Sequence, residues 1–183
     1  MSLDAEARED DATHSGGDGG PYSGYAEPHE RPPFASYAAL ATIFNAGMAA
    51  AVVAAKRSGR ELPERVGAGD LLLIGTATHK LSRLVAKDKV TTFARAPFTE
   101  FQGKGGPAEV EEKPRGRGLR RTVGELLVCP YCLGLWFSGG FHAGLLFAPR
   151  PTRLTASVLS ALTLSDFLQI AYKAAEDRGL GGG

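Results

Sequence analysis

From Leu126 to Ala148 the chain reads LLVCPYCLGLWFSGGFHAGLLFA, 23 residues without an Asp, Glu, Lys or Arg, and the run holds both cysteines and the single tryptophan. At about 1.5 Å of rise per residue, a helix of that length covers a hydrocarbon layer of about 30 Å, so an uncharged run this long points to a bilayer. It reads as a membrane span with Cys129-Pro130-Tyr131-Cys132 at its entrance.

The rest of the chain is polar segments alternating with apolar ones, and the near-neutral mean hydropathy of −0.11 is their average. Residues 1–31 are rich in Asp, Glu, Gly and Ser without apolar periodicity, which predicts a disordered acidic tail. No basic-then-apolar leader opens the chain, so a first inserted run would stay as an anchor. That run is Pro32 to Ala55, uncharged and alanine-rich, with prolines suited to a helix start. It predicts a span over about 34–55, where Ala46, Gly47, Ala50 and Ala51 would admit a neighbouring backbone and Asn45 would seek an interhelical hydrogen bond. A second span over about 66–85 must tolerate Asp70 at one end and let Lys80 and Arg83 reach the headgroups at the other. The rival reading lays that helix on the membrane surface. The spans near 126–148 and 154–172 follow, joined by a short turn at 149–153, and residues 175–183 read as a flexible C-terminal tail.

The fold class predicted is therefore all-α, a polytopic helical bundle of three or four spans occupying residues 32–174, with a basic cytoplasmic loop over 87–121. Between residues 80 and 121 stand eleven Lys or Arg against five Asp or Glu. In the four-span arrangement with the N-terminus inside, 15 of the 21 basic residues fall on the cytoplasmic side, as the positive-inside rule requires. The location predicted is the bacterial inner membrane, with the basic loop and the C-terminus in the cytoplasm. The loop would lie against anionic lipid, with Phe93, Phe98 and Phe101 resting on the surface. Its GKGGP lacks the spacing of a phosphate loop, and its basic residues lack the interleaved aromatics of a nucleic-acid binder.

Chemistry concentrates at a few residues. Pro130 suits the first helical position, which makes Cys129 the N-cap and puts Cys132 in the first turn, where free N–H groups and the helix dipole stabilise a thiolate. The same CPYC tetrapeptide stands at the redox site of glutaredoxins, but a thioredoxin-type domain needs alternating strands and helices, and here the following helix is apolar all round. His142 lies about 15 Å beyond Cys132 along a helix, too far to share a metal with the pair. No metal or cofactor is expected. Asp166, about 18 Å into the last span, must be paired, protonated or lined by water, and Thr163, Gln169 and Lys173 extend it into a polar stripe. A His142–Asp166 pair would need the two helices offset.

The run HKLSRLVAKDKVTTFARAPF and the later GELLVCPYCLGLW, in that order, resemble a bacterial integral membrane family known as domain of unknown function 1360. The likeness rests on Arg83, Leu84, Asp88, Lys89, Arg95, Pro97, Phe98, Gly124, Glu125, Cys129, Cys132, Gly134 and Trp136, and covers roughly residues 66 to 174. It implies a small multi-span protein of unknown activity, and an ion-paired cluster of Asp88, Arg95 and Glu125 near the cysteines. Three functions follow as expectations. The first is a non-enzymatic accessory protein that meets the lipid bilayer, and a protein partner or a second copy, through the loop or the acidic tail. The second is a thiol–disulfide protein in which Cys129 attacks and Cys132 resolves; the third is a small transporter-like bundle using Asp166.

Overall fold

The computed structural model describes Gly24, Tyr25 and residues 32–180. Apart from those first two residues, the acidic segment at 1–31 lies outside the described residues. The described helices and strands all belong to one unit, residues 34–183. In order they are α1 (Phe34–Arg57), α2 (Ala68–Lys87), a 3₁₀ turn (Lys89–Thr91), α3 (Thr92–Arg95), β1 (Thr99–Lys104), β2 (Val110–Pro114), α4 (Leu119–Val128), α5 (Pro130–Phe147) and α6 (Pro149–Leu180). The protein is mostly helical. Among the described residues α1 and α6 are long and apolar enough to cross a membrane, and α4 with α5 would make a third crossing if counted as one broken span. The 20-residue α2, carrying Asp70, Lys80, Arg83 and Lys87, is not among them.

Helix α1 ends where its sequence says it should. Lys56 and Arg57 occupy the last turn, where positive charge suits the dipole. Gly59 at φ 69 then closes the helix, donating to Lys56 O at 3.1 Å while Arg60 N–H reaches Ala55 O at 3.0 Å. One face of α1 meets α5: Phe44 stands edge-on to Trp136, and Gly139 lets Phe44 and Met48 come so close that an added Cβ would sit 2.8 Å from the Phe44 ring. The small residues Ala46, Gly47 and Ala50 face outward instead, so the close approach comes from a glycine on α5. Asn45 donates to Ala41 O of its own helix at 2.8 Å rather than across an interface.

Helix α2 is the centre of the bundle, packed on α5 and α6. Ile74, Ala77, Phe141 and Ala156 form the buried core, flanked by Leu73, Leu81, Phe137, Leu145 and Leu159. Successive contacts rise together along α2 and α6, from Asp70–Arg153 through Leu73–Ser160 and Thr76–Thr163 to Lys80–Asp166, so these two helices run parallel. Helix α5 runs against both, since Gly134 meets Ser82 whereas Phe141 packs with Ile74. The order α1, α2, α5, α6 is thus alternately up and down. The start of α1, the segment from Asp88 to Gly118 and the C-terminal half of α6 share one end.

Three boundaries differ from expectation. Helix α6 begins at Pro149, because prolines in a first turn give up only N–H groups that have no partner there, and it continues through residues 175–180, where Ala175, Glu176 and Arg178 are good helix formers. The apolar run 126–148 is two helices, bent by 86° across Cys129. Pro130 disfavours helical backbone at the residue before it, and Cys129 is extended at φ −105, ψ 100. The basic loop is a folded cap that carries a short antiparallel hairpin, with an irregularity between Phe101 and Gly103, within an otherwise helical fold.

Arg95 organises that cap. Its side chain is 0% exposed, and it ion-pairs with Glu112 of β2, itself 3% exposed. Nη1 donates to Val85 O and Thr91 Oγ1, both at 2.6 Å, and Nη2 to Asp88 O at 3.0 Å. The guanidinium therefore covers the carbonyls at the end of α2, where the dipole favours a cation, and ties them to the hairpin. Helix α4 crosses the hairpin at Gly124, where an added Cβ would stand 2.5 Å from Phe98 O and 3.1 Å from Pro114. Glu125, on the same helix, accepts from Tyr37 OH at 2.7 Å and pairs with the exposed Arg121 at 3.0 Å.

Three substitutions test this packing. Gly124→Ala should destabilise the protein by about 1–3 kcal/mol in a thermal or denaturant melt, because a backbone carbonyl cannot yield to the new methyl. Glu112→Gln should cost about 3–5 kcal/mol, leaving Arg95 a buried charge without a counterion, and should open residues 99–114 to limited proteolysis. Glu125→Gln, at a half-exposed pair, should leave that cleavage pattern unchanged.

Candidate functional site

The corner between α4 and α5 carries the chain's only thiol chemistry. Pro130 opens α5 and Cys129 is its N-cap, with Cys129 Sγ accepting the Cys132 N–H at 3.1 Å. The two cysteines are joined as a disulfide, their Cα atoms 5.2 Å apart. Cys129 N–H reaches back to Leu126 O at 3.3 Å, and Leu133 N–H bonds Cys129 O at 3.1 Å, so hydrogen bonds hold the corner on both sides. The two residues are not equivalent: Cys132 is exposed and Cys129 half-buried, while Tyr131 between them is 92% exposed.

Behind this turn, α5 presses on α2 at Gly134, whose missing Cβ position is 3.7 Å from Ser82 Oγ and 3.8 Å from the Thr78 methyl. Ser82 Oγ and Thr78 Oγ1 are buried there without a hydrogen-bond partner. Among the described residues no group of three or more His, Cys, Asp or Glu is arranged to hold a metal.

Asp88, Arg95 and Glu125 do not form one ionic cluster. Asp88 caps the 3₁₀ turn through Val90 N–H at 3.0 Å and touches Arg95 only by its backbone carbonyl, whereas Arg95 takes Glu112 as its counterion. Glu125 belongs to the separate Tyr37–Arg121 contact on α4. The residue that the cluster lacked was Glu112. Its signal lay in the strand period: Val110, Glu112 and Pro114 fall on one face of β2 and point inward.

Asp166 is paired with Lys80 of α2 at 2.6 Å, one rung of a polar ladder. Beside it His79 stacks on Phe167 with ring centres 6.3 Å apart. Thr163 Oγ1 donates to Thr76 O at 3.0 Å, and Ser160 Oγ to Leu73 O at 3.0 Å. Arg153 grips Asp70 with two bonds of 2.9 and 2.8 Å at the opposite end. His142 is not part of this ladder, since its Nδ1 meets Ser138 O one turn back at 2.8 Å.

Sporulation protein YjcA of Bacillus subtilis (strain 168) is 32% identical over 72 residues, which is 38% of this chain and 61% of that protein. The chain thus spans under two thirds of that relative's length. No solved structure matches. The family described as "Protein of unknown function (DUF1360)" matches residues 73–172, from the middle of α2 through the cap and the cysteine corner to the end of the polar ladder on α6. The chain belongs to that DUF1360 family.

Proposed function

We propose that this is an integral membrane accessory protein with four crossings, made by α1, α2, the bent α4–α5 pair and α6, which presents its folded basic cap to a partner at the cytoplasmic face. The observation that carries the reading is the shared end of the bundle: the start of α1, the cap and the C-terminal half of α6 lie together, and the cap is where basic residues concentrate. Positive charge near membrane helices is retained on the cytoplasmic side. Helix α2 enters the bilayer because α6 answers its charges, with Asp70 held by Arg153 and Lys80 by Asp166.

Several features favour a binding role. Arg115 and Arg117 are exposed at the junction of β2 and α4. Phe93 and Phe101 project from the same cap, 80% and 61% exposed. Exposed aromatics beside arginines suit a headgroup layer of anionic lipid and the protein docked on it. An open groove of about 330 Å³, lined by residues such as Leu81, Phe137 and Phe141, has no ionisable group in its lining, which fits a lipid chain better than a polar substrate. The Lys80–Asp166 pair acts as a clasp between helices in this reading. The name of the relative YjcA denotes a process, sporulation, rather than a reaction, and so suits an accessory protein.

Reporter fusions test the arrangement. A fluorescent protein joined after Leu180 should glow, and alkaline phosphatase inserted between Arg60 and Val66 should be active, since the two sites lie on opposite faces. Inactive phosphatase beside a fluorescent C-terminus would mean that α1 and α2 do not form a crossing pair, and the four-crossing reading would fall.

A further inference from the structure

We propose that the Cys129–Cys132 pair is a thiol–disulfide exchange site for cysteine-bearing polypeptides, and that Cys132, rather than the N-cap Cys129, is the sulfur that bonds to the partner. The proposal concerns an activity and does not depend on the topology argued above.

The bond has little structural work to do. It closes a ring between residues three apart, and such short loops restrict the unfolded chain least. The corner it spans is already held by Cys129 N–H to Leu126 O and by the capped first turn of α5. A cross-link unnecessary for holding its own turn is free to open.

The corner also favours one direction of cleavage. Disulfide exchange needs an incoming thiolate to approach one sulfur from the side opposite the other, while the second sulfur leaves with the electron pair. Cys132 is on the exposed side of the first turn, next to the projecting Tyr131. Cys129 is half-buried and its Sγ already accepts the Cys132 N–H, so the charge it takes on leaving is received by a donor in place and by the N-terminus of an 18-residue helix. Access and leaving-group stability thus fall on different cysteines and favour one direction of cleavage. This reverses the roles that the motif alone suggests.

The reaction balances without any further reagent. A partner thiolate attacks Cys132 Sγ, an S–S bond forms between them, and the Cys129–Cys132 bond breaks with its electrons on Cys129. The partner's second thiolate then attacks the partner sulfur of that mixed disulfide, closing the partner's own disulfide and releasing Cys132 as thiolate. Two electrons pass from the partner dithiol to the chain, and the two protons lost by the partner thiols end on Cys129 and Cys132. Run backward, the same steps reduce a partner disulfide, again through Cys132. Tyr131 offers such a partner an aromatic contact beside the bond being exchanged.

The test uses the full chain in detergent, in its disulfide form, with a short peptide carrying two reduced cysteines as probe, read by alkylation and mass spectrometry. Peptide disulfide should appear one for one with chain dithiol. Given the oxidised peptide, reduced Cys129→Ser chain should accumulate a mixed disulfide at Cys132 at least about tenfold faster than Cys132→Ser accumulates one at Cys129. Partial alkylation of the reduced wild-type chain at a pH high enough to ionise both thiols, where access rather than thiolate fraction sets the order, supplies the same ranking without any substitution, with Cys132 modified first. Absence of exchange on the time scale of free cystine would overturn the activity. Equal or faster capture by Cys129 would overturn the assignment of Cys132.

Discussion

A buried guanidinium joins the two halves of this protein. Arg95 sits at the end of α2, closes that helix's last carbonyls and takes its counterion from a strand seventeen residues away. Removing a charge from water costs several kcal/mol, and only a complete set of partners in good geometry offsets it. That requirement makes the cap cooperative. The 3₁₀ turn supplies Thr91, the hairpin supplies Glu112 and α2 supplies its C-terminus, so none of the three holds its position without the other two. The cap in turn supports α4 at Gly124, and α4 leads directly into Cys129. The orientation of the cysteine corner is therefore inherited, through short links, from one ion pair.

The opposite principle governs α2 and α6. Their interface is stitched by hydroxyls and two salt bridges around a small apolar core. Thr76, Ser160 and Thr163 bond to backbone carbonyls and to each other, which allows the helices to approach while satisfying groups that neither lipid nor a dry core would solvate. An all-apolar pair of helices would slide with little penalty. A ladder of specific polar rungs fixes the register, so α6 meets α2 in one alignment, with Arg153 at Asp70 and Asp166 at Lys80.

How much of this was legible depends on whether the partner lay nearby in the chain. The ends of α1 were readable from Pro33, the Lys56–Arg57 pair and Gly59, all local signals. Pro130 was readable as a helix start, yet the apolar run on either side suggested continuity, and only the conformation forced on Cys129 reveals the corner. The hairpin was hidden because β2 is short and a charged residue, Glu112, takes an inward position where an apolar one would have completed the alternation. Arg95, Asp166 and Glu125 could each be singled out by type, and Arg121, one turn before Glu125, is a local partner, but the counterions Glu112 and Lys80 could not be read. Pairing across 86 residues, as between Lys80 and Asp166, depends on helix order and direction, which no local pattern encodes. The unequal exposure of the two cysteines likewise arises from packing around the bend.

The parallel clasp also has a consequence for biosynthesis. Asp70 and Lys80 are synthesised 83 and 86 residues ahead of Arg153 and Asp166. At about 5–20 residues per second, that separation is about 4–17 seconds of translation. During this interval, in a four-crossing protein, α2 is a moderately apolar helix with unanswered charges at both ends. It must wait beside the translocon or in the headgroup layer until α6 emerges and neutralises it. The last helix to be made would then determine when an earlier one becomes a membrane helix, and a ribosome stalled before residue 166 would leave α2 stranded at the surface.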